Sequence, residues 1–373
     1  MHSDRVRDVD ISGIRKMFEC AGEDAINLGL GEPDFDTPSH IKEAAIRALN
    51  EGHTHYTPSM GIPELREAIC EKLRRENGID AEPSEVIVTS GASEALHIAL
   101  EALLNVGEEV IVPDPGFVSY RNLTIFAGGK PIGVGLTEDF RMRAEDVAEL
   151  ITPKTKAIMI NSPSNPTGAV LEKEDIVGIC ELAVDHEITI ISDEVYEYLI
   201  YEGKHLSAGS IAPERTITVN GFSKSYAMTG WRLGYVHSNE DMIHQMLKVH
   251  QYIQACASSI SQWAALGALR GSQKCVEEMR EMYRKRRDVL MDELKKIGVK
   301  CVRPKGAFYA FPDVSSFGMD GNTLSQKLLE RGVITVPGSS FGERGKNHIR
   351  ISFSASVENI KKGIAIMKNV IER

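Results

Sequence analysis

The stretch NGFSKSYAMTGWRLGY, residues 220 to 235, sets Lys224 between two serines just after an apolar run and a few residues before Trp231 and Arg232. Lysine is almost never fully buried, so the ordinary reading is a solvated side chain in a turn. The chemistry open to a lysine held at a site is condensation with a carbonyl. Three other apolar runs also end in polar sequences. EVIVT is followed by Ser90-Gly91-Ala92-Ser93 and a helix-period stretch. Small residues entering a helix leave backbone N–H groups free for an anion such as phosphate, although Ser-Gly is also an ordinary turn and cap. AIMI is followed by Asn161-Ser162-Pro163-Ser164-Asn165-Pro166-Thr167-Gly168, where two prolines constrain the loop that presents Asn165. ITII is followed by Ser192-Asp193-Glu194-Val195-Tyr196, which puts an acid after a strand that reads as buried. Such a carboxylate needs a partner, or serves as a helix cap.

Taken together, these ends fit one ligand: a phosphorylated aromatic heterocycle with a basic ring nitrogen and an aldehyde. The aldehyde would condense with Lys224, and the ring nitrogen would face Asp193. The ring hydroxyl would face Asn165 and Tyr196, with the phosphate on the 90–93 loop beside Arg232.

The elements that must position these residues are short apolar strands alternating with amphipathic helices. EVIVTS precedes SEALHIALEALL, and KAIMINSP leads to EKEDIVGICELAVDHE and then ITIIS and TITVN. This pattern predicts a mostly parallel sheet covered on both faces, the doubly wound α/β class. Ligands in such sheets bind at the carboxyl ends of the strands, where the polar residues fall. After about residue 240 the texture changes. A charged helix is expected over 274–298, then short strands in AFYAF, VITVP and HIRISFS and a last helix near 357–372, which together read as a smaller α+β unit.

With 373 residues the chain is long enough for two domains. Its 43 basic and 53 acidic residues give a formal net charge of -10, which argues against a dedicated nucleic-acid binder. The polar start lacks the apolar core of a signal peptide, and no apolar run approaches membrane-spanning length, so a cytoplasmic protein is expected. Six cysteines without a CxxC pair or close histidines indicate neither a disulfide framework nor a zinc site, and are read as mostly buried small hydrophobes. No metal site is expected.

The segment GFSKSYAMTGWRLG resembles the pyridoxal-phosphate attachment signature of class I/II aminotransferases. LGEPDFDTP, NSPSNPTGAV, SDEVYE, KGAFYAF and HIRISFS resemble that family's other landmarks in the same order, from about residue 11 to the end. The resemblance implies fold-type I, with a large cofactor domain over 38–277 and a small domain built from 1–37 and 278–373. It also implies a homodimer with shared active sites, pyridoxal 5'-phosphate as cofactor, and amino-acid and 2-oxo-acid substrates. By position, Lys224 is implied to be the Schiff-base lysine and general base, Asp193 the partner of the pyridine nitrogen, and Tyr196 and Asn165 the partners of the ring oxygen. Arg232 and the backbone at Gly91, Ala92 and Ser93 correspond to phosphate ligands, and Tyr56 to a tyrosine reaching the neighbouring subunit's cofactor phosphate. Phe117 corresponds to the aromatic stacked on the ring, Arg350 to the arginine for the substrate α-carboxylate, and Gly31 to the backbone closing over it. The chain departs at Gly221, where many relatives carry a phosphate-binding serine; Ser223 is the candidate replacement.

The motif set is similar to archaeal and bacterial enzymes acting on aspartate or aromatic amino acids. The lysine that some aspartate-specific relatives carry at the position of Ser93 is absent. Transfer from an L-amino acid to 2-oxoglutarate is therefore expected, with a carbon–sulfur β-lyase on the same fold as the alternative. GSSFG (338–342) matches the GxSxG pattern of hydrolases, but the sequence after it leads into a strand rather than the required helix. GLGEPD (29–34) has Pro33 where a dinucleotide-binding helix should start, and no third glycine.

Overall fold

The computed structural model describes residues 2–7, 9, 11 and 25–372. Residues 12–24, within the expected 1–37 segment and including Cys20, lie outside the described residues. The strands in chain order are β1 Ile26–Asn27, β2 Val86–Thr89, β3 Glu109–Asp114, β4 Lys130–Gly135, β5 Thr155–Asn161, β6 Thr189–Asp193, β7 Thr216–Gly221, β8 Gly234–His237, β9 Tyr309–Ala310, β10 Val333–Ile334, β11 Val336–Pro337 and β12 Ile349–Ser352.

The central sheet has seven strands in the order β2-β8-β7-β6-β5-β3-β4. Its neighbours pair in parallel except that β8 is antiparallel to both β2 and β7. The inner strands are largely apolar because both faces are covered, and successive residues feed different cores. Ala157 and Met159 of β5 pack with Ile191, Val219, Leu96 and Leu100 on one face. Ile158 and Ile160 pack with Ile190, Ile176 and Ile179 on the other. The helix expected over 172–187 forms as Lys173–Asp185, and a capping box between Glu172 and Asp175 fixes its start. The sequence reading missed β8, whose four residues follow so closely on the WRLG turn that no separate strand stands out. It pairs Val236 with Ile87 and with Val219.

The charged helix forms over Lys274–Lys296 without interruption. Val276 near its start packs with Ile41, Leu65 and Val86, whereas Met279, Tyr283, Leu290 and Leu294 join a second core with Phe308, Leu324, Ile351 and Ile364. Leu28 belongs to that second core, and β1 pairs in parallel with β10, Ile26 opposite Val333. The segment after residue 25 is thus stitched to the end of the chain. Of the five described cysteines, Cys70 and Cys180 are buried as expected. Cys256, Cys275 and Cys301 are only half-buried, because they fall at a helix end, a helix start and a loop.

Arg286 of the long helix reinforces this stitching. Its guanidinium donates to both carboxylate oxygens of Asp34 at 2.7 and 2.9 Å and to the Ser354 carbonyl, and it lies 5.1 Å from the Phe35 ring centroid. Replacing it with methionine keeps the stem packing but leaves Asp34 and the carbonyl without that donor. Arg286→Met is expected to lower stability by about 1–3 kcal/mol, read as the urea midpoint, in line with charged hydrogen bonds of this kind. An unchanged midpoint would show that the clamp adds no net stability.

Candidate active site

Lys224 stands three residues beyond the end of β7. It is half-buried and opens on a cavity of about 530 Å³ at the carboxyl ends of the central strands. Its Nζ donates to the Gly31 carbonyl at 2.6 Å and sits 6.0 and 5.9 Å from the Tyr196 and Phe308 ring centroids. Burial pulls the amine from 10.5 down to about 8; Arg350 and Arg232 push the same way, while Glu32 and Asp193 oppose them. The lysine loop is tied to the segment that supplies Gly31. Thr229 Oγ1 donates to Glu32, Trp231 Nε1 donates to Thr37 Oγ1 at 2.9 Å, and Thr37 Oγ1 donates to the Ala227 carbonyl at 2.6 Å. Ala227 and Arg232 hold φ of +50° and +51°, left-handed values that non-glycine residues seldom adopt.

Asp193, at the last position of β6, is buried beneath the cavity. Burial pushes its carboxyl up to about 6, against the stabilising hydrogen bonds from the Tyr120 hydroxyl at 2.7 Å and the Val195 amide at 3.3 Å. A carboxylate in this setting is poised to pair with a cation arriving in the cavity. The Tyr196 and Tyr309 hydroxyls are 2.8 Å apart, and burial raises both phenols well clear of neutral pH, so each stays a hydrogen-bonding hydroxyl. Arg350, on β12, is 1% exposed. Its Nη1 donates to Asn165 Oδ1 at 2.9 Å and its Nη2 donates to the Gly29 carbonyl, while its guanidinium lies over the rings of Tyr309 and Phe341. Its Nε has no partner among the described residues, an orphaned donor in a buried guanidinium beside the cavity. Because Asn165 uses its carbonyl oxygen for Arg350, its amide nitrogen is left to donate.

Groups of a kind that could hold an anion line the same cavity. Gly91, with φ of +77°, opens the helix Ala92–Leu103, whose first-turn amides at Ala92 and Ser93 take no partner among the described residues. Arg232 leans over this turn, since a Cβ at Gly91 would stand 2.8 Å from its Nη2. Gly234 of β8 packs beneath it; a Cβ there would stand 2.6 Å from the Ala92 nitrogen.

Gly31, Ala92, Ser93, Phe117, Asn165, Asp193, Tyr196, Ser223, Lys224, Arg232 and Arg350 therefore converge on one cavity, and Gly91 abuts it through Arg232. Gly221 lines it as well. Tyr56 does not line it and is 89% exposed. Sequence reasoning missed Tyr120, Tyr309, Asn161 and Gly234. Tyr120 lies one helical turn beyond Phe117, a spacing that sets both at one face. Tyr309 stood inside KGAFYAF without a role. Asn161 donates to the Asp193 carbonyl and accepts from the Asn165 amide, both at 2.9 Å, coupling two of the strand ends.

Comparison with known proteins shows the family. The family model for aminotransferase class I and II matches residues 23–366. The chain belongs to that family. It is 50% identical to a probable aspartate aminotransferase of Methanocaldococcus jannaschii over the whole of both chains. It is 45% identical to an aromatic-amino-acid aminotransferase 2 of Thermococcus litoralis, covering 99% of this chain and 98% of that one. A solved structure of Thermus thermophilus aspartate aminotransferase with maleate superposes with a TM-score of 0.96 at 45% identity, covering 99% of each chain. The protein is an aminotransferase, and the expected fold-type I α/β architecture with its mixed central sheet is borne out. Among the described residues no helix is long and apolar enough to cross a membrane.

The neutral amine is the nucleophilic form and appears as pH rises through the pKa. In aminotransferase stripped of any bound aldehyde, reductive methylation of Lys224 should therefore climb through pH about 8, well below the 10.5 of an ordinary lysine. Peptide mapping by mass spectrometry reads this directly. A profile that stays flat until pH 10 would contradict the desolvated environment of the amine.

Proposed function

We propose that this aminotransferase uses pyridoxal 5'-phosphate anchored on Lys224 to move the amino group of an L-amino acid, aspartate or an aromatic one, to 2-oxoglutarate. The observation that carries the reading is the convergence of Lys224, Asp193 and Arg350 on one cavity, with an amine drawn down to about 8. The residues present fit the cofactor: the free amides at Ala92 and Ser93 with Arg232 suit its phosphate, Asp193 its pyridine nitrogen, and the Asn165 amide and Tyr196 hydroxyl its ring oxygen. Phe117 is placed to lie against the ring. Ser223 lines the same side of the cavity and is the candidate for the phosphate contact that Gly221 cannot make. When bound, the cofactor would supply the aldehyde that takes up the amine and the ring that accepts the electron pair from the substrate Cα.

The chain's own groups have distinct tasks in this reading. Lys224 Nζ, once free, takes the proton from the substrate Cα and returns it on the far side of the transferred nitrogen, as a base whose pKa lies near the working pH. Asp193 stays ionised against a protonated ring nitrogen, because a cation partner favours its charged form. Tyr120 orients that carboxylate. Arg350, with its unpartnered Nε, grips the α-carboxylate common to donor and acceptor, and the planar fork suits two parallel hydrogen bonds. Gly31 offers its carbonyl to Lys224 at rest, and its lack of a side chain lets it pass close to the Tyr309 hydroxyl.

We further read residues 38–277 as the cofactor-binding domain and the two chain ends, 1–37 and 278–373, as the small domain. The pairing of β1 with β10 and the second core support that division. A homodimer with shared active sites accounts for Tyr56, which is exposed on its own chain together with Tyr252 at 94%.

The test is the absorption spectrum of the purified enzyme titrated with aspartate, tyrosine, phenylalanine and alanine. The visible band should bleach with one or two donors and return on adding 2-oxoglutarate. Lys224→Ala should lose that band and at least ~10³-fold in rate, the scale of losing a proton-transfer catalyst. Near-normal turnover in that variant would sink the assignment, and pyruvate with ammonia as products would move the activity to a β-lyase. Gly234→Ala forces the Ala92 turn off β8, so its apoenzyme should need on the order of 10-fold more pyridoxal phosphate for half-reactivation, as one weakened phosphate contact implies. Reactivation at the wild-type concentration would show that the turn does not hold the phosphate.

A further inference from the structure

Behind the cavity, on the opposite side of the β6 and β7 ends, lies a buried charged cluster that the reaction does not use. The turn that follows β6 creates it: Asp193, the last residue of the strand, and Tyr196 line the cavity, while Glu194 and Glu197, three residues apart and joined by the turn, meet in the cluster. The Lys72, Glu194 and Glu197 side chains are 3%, 1% and 7% exposed. Lys72 Nζ donates to Glu197 Oε1 and, at 2.7 Å, to Asn77 Oδ1. Asn77 Nδ2 donates to Glu194 Oε2 at 3.1 Å and Glu197 Oε2 at 2.7 Å. The other Glu194 oxygen accepts from Ser192 at 2.8 Å and Ser207 at 2.7 Å, and His205 Nε2 lies 2.9 Å from Glu194 Oε2. Lys72 and Asn77 reach this place from the two ends of the π-helical turn Leu73–Asn77, an irregularity often found at functional sites.

Two carboxylates face one lysine and one histidine, so the cluster is neutral when His205 carries its proton. Burial opposes that proton, but Glu194 and Glu197 together outweigh it and raise His205 overall. The Glu194, Glu197 and His205 atoms lie within 4.8 Å of one another, close enough for a cation, yet the Lys72 ammonium already supplies positive charge there. The cluster also reaches the lysine strand. Asn220 Nδ2 donates to Glu197 Oε1 at 2.7 Å, and its Oδ1 accepts from the Gly221 amide at 2.7 Å, four and three residues before Lys224. The Glu194 amide donates to the Val219 carbonyl at 2.9 Å, and the Glu197 amide to the Glu194 carbonyl at 3.0 Å.

We propose that Lys72, Asn77, Glu194, Glu197 and Asn220 are positioning residues: their buried network holds the ends of β6 and β7 in the register that presents Asp193, Tyr196 and Lys224 to one another across the cavity. The chemical reason is directional. Apolar packing could fill this volume with similar stability, but a satisfied polar network is directional and sets the angle between two strand ends. Each cavity group is one to four residues from a cluster member, so a shift of the cluster is a shift of the site. This proposal rests on the pyridoxal-phosphate reading above.

The experiment compares wild type with two variants. Asn220→Ala removes the link from Glu197 to the β7 end, together with the bond from the Gly221 amide, and leaves the charges balanced. Lys72→Met/Glu197→Leu removes one charge of each sign, so that neither partner is left as an unpaired buried ion. Wild type is measured first, because failure of its visible band to bleach with an amino donor would refute the functional reading rather than this one. Both variants should melt close to wild type yet lose at least ~10-fold in kcat, since misplacement by a fraction of an ångström is costly, with KM little changed. The pH midpoint of the visible band should move, and in cofactor-free protein the methylation profile of Lys224 should move away from pH about 8. If the double variant cannot be folded, Asn220→Ala alone decides. Wild-type kcat, band midpoint and Lys224 reactivity in a folded variant would assign the cluster to stability only and overturn the proposal.

Discussion

The arrangement depends on one unfavourable fact, an amine drawn out of bulk water with a single backbone carbonyl as its hydrogen-bond partner among the described residues. Lys224 donates to the Gly31 oxygen where a carboxylate would ordinarily stand, and desolvation makes its proton easy to lose. A carboxylate in direct contact would restore the ordinary pKa and the ordinary chemistry. The surroundings keep one away: Asp193 is turned toward Tyr120, Glu32 is engaged by Thr229, and the charge that weighs most on the amine is the Arg350 guanidinium. The cost of this placement is met elsewhere, by the bonds that tie the 29–37 segment to the lysine loop and by the core on which that segment rests.

The central sheet turns this local constraint into a site. Parallel strands end side by side, so β5, β6 and β7 deliver Asn161, Asp193 and the Lys224 loop to one edge, with β2 adding the Gly91 turn. The antiparallel β8 brings the chain back from that edge. Its first residue, Gly234, has no side chain, which lets the turn at Ala92 settle directly on it. Arg350 arrives from a different sheet altogether. Its bond to Asn165 and its contact with the Gly29 carbonyl fasten the strands near the end of the chain to both the central sheet and the 29–37 segment.

Most of the fold could be read directly from the chain. The run Ala157–Ile160 is apolar at every position because both its faces are covered, and that continuity distinguishes it from a half-exposed strand. The short strands near the end were legible as strands but not in their pairing: nothing local in VITVP says that Val333 will lie opposite Ile26. β8 was lost because GYVH is brief and abuts a turn dominated by Trp231 and Arg232. The half-buried Cys256, Cys275 and Cys301 departed from expectation because cysteine preference describes cores, whereas these three stand beyond a helix end, at a helix start and in a loop.

The candidate site divides along the same line. By itself the sequence determined the residue types and their places at strand ends: an amine, an acid, an amide, a phenol and a turn of small residues opening a helix, each anchored to a recognisable apolar run. That much follows from local rules, since strand period, helix capping and proline geometry act over a few residues. Only the tertiary structure decided which groups touch. The Tyr120 bond to Asp193 spans 73 positions and the Arg350 bond to Asn165 spans 185, and such pairs leave no periodic trace in the chain. The lowered pKa of Lys224 is likewise a property of enclosure. Desolvation is set by everything packed around the amine, and no single neighbour in sequence could announce it.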